Sequence, residues 1–283
     1  LDPHWVLESI PAVRAADRLI VCQGAWGRVA GDAPGALAAM LAAMASDLAA
    51  GSASATLRAG ARSGGINTPT AFDSASLTVA EPTPEVKAYG VHHTKALFLV
   101  YPTGCRFICL TGNFVPGEYE GGLTQAAWWQ DFPRKDAASP RPVPGGFEES
   151  FASYVGALAS RGLPRRAAAD LQAAIAAHDW SSARADFIGS TPGSHRGGAA
   201  VRRWGHARLG AVLAGSAGFD PALAGGASSL IAQCSSLGSL TADVLAGFDA
   251  AWSGGTAADG EPLGPPRTGL RIVWPTNENV RTS

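Results

Sequence analysis

The middle of this chain reads Ala96-Leu-Phe-Leu-Val-Tyr101, Pro102-Thr-Gly104, Cys105-Arg-Phe-Ile-Cys-Leu-Thr111. Two short apolar runs, separated by a turn that contains Pro and Gly, predict an antiparallel β-hairpin. If a three-residue turn sets Tyr101 opposite Cys105, Lys95 lies opposite Thr111, and His93 lies opposite Asn113. A turn of another length would shift each of these pairs by one residue.

The strand that leads into the hairpin carries two histidines and a lysine. Because side chains alternate along a strand, His93 and Lys95 share one face, while His92 and Thr94 point the other way. A neutral imidazole at His93 can attack phosphorus, and the ammonium of Lys95 with the amide of Asn113 can donate hydrogen bonds to phosphate oxygens. The cluster therefore suits phosphoryl transfer without a metal ion; the alternative is a solvated strand end.

The rest of the chain mixes helical and strand patterns, which predicts an α/β fold. The boundary between two domains is expected near Trp180 to Ala185, which gives domains of residues 1–182 and 183–283. Helices are expected at Trp5 to Ile10, Ala36 to Ala50, Phe147 to Arg161, Arg165 to His178, Trp204 to Ala214 and Thr241 to Trp252. Further strands are expected at Arg18 to Gln23, Asp186 to Gly189, Ser229 to Cys234 and Leu270 to Trp274.

Composition excludes several classes of protein. With 46% hydrophobic and 16% charged residues, the chain can bury a core, so wholesale disorder is excluded. No run approaches the roughly 18 apolar residues of a membrane helix, so a membrane protein is not expected. A formal charge of −1 gives no global basic field, so charge alone does not predict nucleic-acid binding. The four cysteines form no C-x-x-C pair, which favours reduced thiols over disulfides or zinc.

Several spaced motifs resemble one family. They are Tyr89-Gly-Val-His-His-Thr-Lys95, Leu110-Thr-Gly-Asn113, Thr124-Gln125, Trp128-Trp-Gln-Asp-Phe-Pro-Arg-Lys135, Phe187-Ile-Gly-Ser-Thr-Pro-Gly193, Trp204-Gly-His206, Ala232-Gln-Cys-Ser-Ser-Leu-Gly-Ser239 and Glu278-Asn-Val-Arg-Thr-Ser283. In this order they resemble the tyrosyl-DNA phosphodiesterase family of the phospholipase D superfamily, in its plant and algal form. The resemblance implies a phospholipase D-like mixed β-sheet flanked by helices, an α-β-α sandwich.

The resemblance also implies roles for individual residues. His93 corresponds to the family's nucleophile, and Lys95 and Asn113 correspond to ligands of the scissile phosphate. Four further matches are implied to contact DNA or substrate, namely Tyr89, Gln125, Ser236 and Ser239. Each has a structural alternative: an aromatic covering the sheet edge for Tyr89, a loop amide bonded to local backbone for Gln125, and helix capping by Ser239 or Thr241.

The implied reaction is DNA repair. The family hydrolyses DNA 3′ ends, single-stranded or nicked, that carry a tyrosyl peptide from a type IB topoisomerase, through a phosphohistidine intermediate. The resemblance implies a monomeric nuclear enzyme with no cofactor, no metal and no membrane partner. Two alternatives stay open: a non-catalytic module that binds DNA ends, and another phospholipase D-like phosphodiesterase acting on lipid or RNA. The matches at Tyr89, Ser236 and Ser239 disfavour the second.

The sequence shows only one of the two catalytic motifs that the resemblance implies. Family members carry another H-x-K…N motif, whose histidine serves as general acid and then as base, yet no lysine follows Lys135 here. His206-Ala-Arg208 imitates the motif, but it lies in a predicted helix, where residues two apart diverge. We therefore expect the chain to hold one complete domain and the start of a second, similar one. The opening Leu1, in place of Met, suggests that the true N-terminus lies upstream.

This expectation is testable at the transcript. The reading frame should continue beyond Ser283 into a second H-x-K motif with a downstream Asn. Sequencing of independent transcripts measures this, and a stop codon shortly after Ser283 would contradict it.

Overall fold

The structure is a computed structural model that describes residues 19–22, 77–80, 92–119, 124–191, 193, 195–196, 200, 202–215, 230–234, 240–252 and 270–282. Contacts divide the chain into two compact units, Leu1–Ala185 and Asp186–Ser283, and each is treated by itself. The domain identities predicted above stay predictions. In both units the described residues form a mixture of helices and strands.

The first unit contains two small sheets. Strands β1 (Leu19–Cys22) and β2 (Leu77–Ala80) pair in parallel. Strands β3 (Ala96–Val100), β4 (Gly104–Leu110) and β5 (Ala127–Pro133) form an antiparallel sheet in that order, with β4 in the centre. A single 3₁₀ turn, Pro116–Glu118, lies between β4 and β5. Two helices follow, α1 (Phe147–Ala159) and α2 (Arg165–Ala176).

The second unit alternates helices with short strands. Helix α3 (Gly205–Gly215) is followed by β6 (Ile231–Gln233), α4 (Ala242–Trp252), β7 (Arg271–Val273) and the short helix α5 (Asn277–Thr282). Strands β6 and β7 pair in parallel. No helix in the described part of the chain is long and apolar enough to cross a membrane.

Aromatic rings fill the space between the three-stranded sheet and α1. One face of the sheet carries Phe107 and Phe132, which are 5% and 1% exposed. The ring of Phe107 meets that of Phe151 on α1 at 5.0 Å, and the ring of Phe132 meets that of Trp180 at 4.3 Å. Trp180 also donates its indole N–H to the carbonyl of Ile175 at 2.8 Å. This pattern of alternate buried residues explains why the sheet presents one fixed face to α1.

Polar contacts tie the end of the first unit to the same sheet. The buried amide of Gln130 donates to the carbonyl of Ser182 at 2.7 Å and accepts the backbone N–H of Arg184 at 3.0 Å. Its burial is therefore matched by hydrogen bonds on both ends of the amide.

The predicted hairpin is confirmed, but its register is wrong by one residue. Val100 pairs with Cys105, so residues 101–104 rather than 102–104 lie between the paired positions. The cause is the turn, in which the N–H of Tyr101 donates to the carbonyl of Gly104 at 2.8 Å. Lys95 therefore lies opposite Leu110, whose N–H donates to its carbonyl at 2.9 Å, and not opposite Thr111.

Most other predicted elements agree within a few residues. The strand predicted at Asp186 to Gly189 is wrong, because these residues form no regular strand. Three short elements were not predicted, namely β2, β5 and α5. The helices predicted at Trp5 to Ile10 and Ala36 to Ala50 lie outside the described residues.

The four cysteines, all within the described residues, are free thiols. Burial raises the pKa of Cys105 to about 12 and that of Cys22 to about 11. Both thiols therefore stay protonated at neutral pH, which makes them poor nucleophiles.

The aromatic core predicts a specific cost for one substitution. Phe132→Ala should lower the free energy of unfolding by about 3–5 kcal/mol, because it leaves a cavity against Trp180. Trp129→Ala on the same strand is the matched control; its ring is 55% exposed and stacks under Arg106, a contact that is worth only about 0.5–1 kcal/mol. Urea denaturation measures both, and equal losses would contradict this account of the core.

Candidate active site

Helix α1 holds the segment that precedes β3. The hydroxyl of Tyr154 is hydrogen bonded to the hydroxyl of Thr94 at 2.6 Å, and its ring stacks with the imidazole of His92 at 6.5 Å. His92 is buried, whereas His93 is exposed. Tyr154 thus contacts His92 and Thr94, the two residues predicted to share a face, although Thr94 is exposed and the regular strand begins only at Ala96.

Lys95 and His93 alternate along the chain with the two residues that contact Tyr154. The ammonium of Lys95 donates to the backbone carbonyl of His93 at 3.0 Å. Burial lowers the pKa of Lys95, and the negative charge of Glu118 opposes that shift. An ammonium has three N–H donors, so this hydrogen bond leaves two of them for a ligand.

Asn113 begins a tight loop after β4. Its backbone N–H donates to Oε2 of Glu118 at 2.6 Å, and its side-chain amide donates to Oε1 of the same carboxylate. The loop returns to its start because Val115 bonds back to the Asn113 carbonyl at 2.9 Å and the Tyr119 hydroxyl donates to the Gly112 carbonyl at 3.0 Å. The loop thus holds the Glu118 carboxylate against Asn113.

Gln125 reaches the same carboxylate from the segment just before β5. Its Nε2 lies 3.5 Å from Oε2 of Glu118, and its Oε1 accepts the Thr111 hydroxyl at 2.7 Å. A Cβ at Gly112 would lie 2.8 Å from the Tyr119 hydroxyl and 3.0 Å from Cδ of Gln125. A side chain at position 112 would therefore have to displace the Tyr119 hydroxyl and the Gln125 amide.

Glu118 joins the residues predicted from sequence. Hydrogen bonding from the Asn113 amide is the main cause that holds the pKa of the Glu118 carboxyl below its usual value. The positive charges of Lys95 and His93 lower this pKa further, while partial burial opposes them. Of the predicted site residues, Asn113 and Gln125 therefore contact the Glu118 carboxylate, and Lys95 and His93 act on it through their charge.

Three other predicted contacts, Tyr89, Ser236 and Ser239, lie outside the described residues. The proposed capping by Thr241 is confirmed, because its hydroxyl accepts the Val244 N–H at 3.4 Å at the start of α4. His206 lies on α3, as predicted, and packs edge-to-face on Phe248 at 5.1 Å.

The arrangement provides donors for an anion beside an exposed imidazole. Lys95 keeps two N–H donors beyond its bond to His93, and the amide of Asn113 keeps one beyond its bond to Glu118. A phosphate oxygen accepts hydrogen bonds from such groups strongly because it is charged. Within the described ranges, no three His, Cys, Asp or Glu side chains are grouped so that they could hold a metal ion.

Glu118 was missed by sequence reasoning. A glutamate in a loop carries no recognisable pattern, and its contact with Asn113 depends on the 3₁₀ turn Pro116–Glu118. The Pro-Gly-Glu sequence after Asn113 indicates a turn, which is the only available signal that the chain reverses here.

Comparison with known proteins gives consistent results. The family model described as "Tyrosyl-DNA phosphodiesterase" matches residues 52–283. The chain is 38% identical over 201 residues to "Tyrosyl-DNA phosphodiesterase 1" of Arabidopsis thaliana, which covers 69% of this chain and 32% of that protein. It is 31% identical over 219 residues to the protein of that name from Drosophila melanogaster, covering 74% and 35% respectively. The chain spans about a third of the length of these curated relatives.

Burial of His92 predicts a dependence of stability on pH. Burial, aided by the positive charges of His93 and Lys95, lowers the pKa of His92, and its Nδ1 has no hydrogen-bond partner among the described residues. Below about pH 6.5 the unfolded chain therefore binds a proton that the folded chain does not. The free energy of unfolding should fall as the pH decreases from there towards the folded pKa.

The test is His92→Gln, which removes this titration. Urea denaturation between pH 7.5 and 5 should show a weaker loss of stability with falling pH in the variant than in the unaltered chain. His206→Gln on the exposed side of α3 is the matched control. The same pH slope in His92→Gln and the unaltered chain would exclude His92 as a cause.

Proposed function

Because the chain belongs to the tyrosyl-DNA phosphodiesterase family, we propose that it is part of a DNA-repair phosphodiesterase that hydrolyses 3′-phosphotyrosyl DNA ends. One observation of the structure carries the proposal. Asn113 is hydrogen bonded to the Glu118 carboxylate at one end of the hairpin, and Lys95 and the exposed His93 lie near enough to influence its pKa. A nucleophile beside donors that suit phosphate is what a two-step phosphoryl transfer needs.

The first step forms a phosphohistidine. A ring nitrogen of His93 attacks phosphorus, the bond from phosphorus to the tyrosyl oxygen breaks, and the tyrosyl oxygen leaves with a proton from a general acid. Lys95 and Asn113 donate to the non-bridging oxygens, where negative charge must be stabilised. In the second step water attacks phosphorus and gives a proton to the same group, which now acts as base; the P–N bond breaks, its electron pair returns to His93, and the DNA keeps a 3′-phosphate.

The general acid belongs to a second H-x-K…N set in this proposal. Within the chain, His178 is buried at 1% exposure in the core, and its Nδ1 lies 2.7 Å from the Ala174 carbonyl, so it does not suit that role.

We propose the fold that goes with the family: a phospholipase D-like sandwich in residues 1–182 and the start of a similar domain in residues 183–283.

DNA 3′ ends with a covalent tyrosyl peptide are the proposed partner, and a monomer acting in the nucleus is the proposed setting. Stacking of a base on Tyr89 and phosphate contacts at Ser236 and Ser239 belong to the same proposal. Base stacking on an aromatic side chain contributes about 1–3 kcal/mol per base in proteins that bind single strands.

A non-catalytic module that binds DNA ends is the second candidate. It needs only the donor groups of Lys95 and Asn113, which suit a phosphate whether or not a bond to phosphorus is broken. Such a module would hold phosphate without protonating the leaving group. It would give a salt-sensitive complex with DNA and release no tyrosine.

Single-turnover assays on 3′-phosphotyrosyl DNA separate the two candidates. The full protein should form an acid-labile covalent adduct with DNA and release tyrosine, whereas His93→Ala should form no adduct, because the attacking nitrogen is gone. His206→Gln, which alters a histidine on α3, is the matched control and should keep the adduct. An adduct retained in His93→Ala would contradict the assignment of the nucleophile, and binding without release would favour the non-catalytic module.

A further inference from the structure

The Glu118 carboxylate is the common acceptor for amides at the proposed phosphate site. It receives the backbone N–H and the side-chain amide of Asn113, and it lies 3.5 Å from the amide nitrogen of Gln125. Its lowered pKa keeps it ionised at neutral pH. Glu118 therefore stays a pure acceptor, because an ionised carboxylate has no hydrogen to donate.

An acceptor of this kind selects one orientation of each neighbouring amide. The side chains of Asn and Gln can present either C=O or NH₂ by a half-turn of the terminal amide. Beside a carboxylate, only the NH₂ orientation forms a hydrogen bond. For Gln125 the opposite end is fixed as well, because its Oε1 accepts the Thr111 hydroxyl at 2.7 Å.

A phosphate oxygen is likewise an acceptor without hydrogens, so it needs the same orientation of the amides. Each NH₂ group has two hydrogens, and Glu118 takes one of them. We infer that Glu118 is a positioning residue: it orients the Asn113 and Gln125 amides so that their second N–H groups face the scissile phosphate. This inference rests on the proposed function.

The competing effect is electrostatic. A carboxylate near the phosphate repels it, and on this ground alone removal of the charge would tighten phosphate binding. Lys95 lies close enough to influence the Glu118 carboxyl and offsets part of that repulsion. Correct orientation avoids placing a carbonyl oxygen against the phosphate, which would be repulsive and would also lose a donor. For the inference to hold, positioning must outweigh repulsion in this site.

Glu118→Gln tests the inference with little change in shape. Because Gln can present its own NH₂ to Asn113, the Asn113 amide can turn over and lose its fixed orientation. In the full protein, the rate of covalent adduct formation on 3′-phosphotyrosyl DNA should fall about 10- to 100-fold, with little change in KM. The reason is that misplacement of a catalytic group by about 1 Å costs up to about 100-fold in rate. Glu118→Asp, which keeps an ionised acceptor, should recover part of the rate.

Two controls separate positioning from a structural role. Glu149, at the start of α1, also accepts a backbone N–H, that of Gly145 at 2.6 Å. Glu149→Gln removes this carboxylate and should leave the rate of adduct formation unchanged. In a background that carries both Asn113→Ala and Gln125→Ala, Glu118→Gln should lose most of its effect, because effects that act through the same partners are not additive. Fully additive effects, or an unchanged or higher rate in Glu118→Gln, would overturn the inference.

Binding of inorganic phosphate gives a readout that needs no catalysis. In the unaltered protein, titration with inorganic phosphate should shift the NMR signals of the Asn113 and Gln125 side-chain amides, and Glu118→Gln should weaken that binding about 3- to 10-fold. Tighter binding in Glu118→Gln would show that repulsion dominates and would overturn the inference. If the unaltered protein forms no adduct while the phosphate result holds, the proposed reaction fails but the positioning role stands.

Discussion

The aromatic packing between the three-stranded sheet and α1 is the contact on which the candidate site depends. Phe107 and Phe132 on the sheet, Phe151 on α1 and Trp180 after α2 form one continuous group of rings. Because strand side chains alternate, fixing which face of the sheet lies on α1 also fixes which side chains point away from it. A slip of one residue in β3 would turn Phe98 away from the rings of Phe151 and Trp180, whose centroids lie 5.3 and 5.9 Å from its own.

The orientation of the segment before β3 follows from this packing. Tyr154, on the same helix as Phe151, contacts both His92 and Thr94 and so continues the alternation past the end of the regular strand. His93 and Lys95 alternate with these two residues along the chain. Helix α1 thus packs against the buried face of the sheet and also contacts the segment that carries the proposed nucleophile.

Much of this could be predicted from the sequence, and the remainder shows where local patterns are insufficient. The hairpin and the alternation at His93 and Lys95 are local properties of the chain. The register depends on a turn in which the N–H of Tyr101 bonds to the Gly104 carbonyl, and composition does not distinguish that turn from one a residue shorter. Strand β5 was missed because its polar residues, Gln130 and Asp131, weaken the apolar pattern, although both are bonded in the fold.

The register error has a consequence for the site. In the predicted pairing, Asn113 reached the face of His93 by regular pleating; a shift of one residue reverses that face. Strand β4 ends before Asn113, and the turn Pro116–Glu118 brings the Glu118 carboxylate back to the Asn113 amide. The connection between Asn113 and the charges of Lys95 and His93 therefore depends on a loop contact, which strand periodicity does not predict.

Local charge also explains how a chain with a net charge of −1 can contain a site for an anion. Burial disfavours the charged form of Lys95, and the nearby Glu118 restores part of its tendency to stay protonated. In turn, Lys95 and the Asn113 hydrogen bonds keep Glu118 ionised. The pair of opposite charges adds nothing to the net charge, yet it maintains both a cation and a set of oriented amides where a phosphate is proposed to bind. Affinity at such a site depends on directed donors more than on excess positive charge, so overall charge is a poor guide to it.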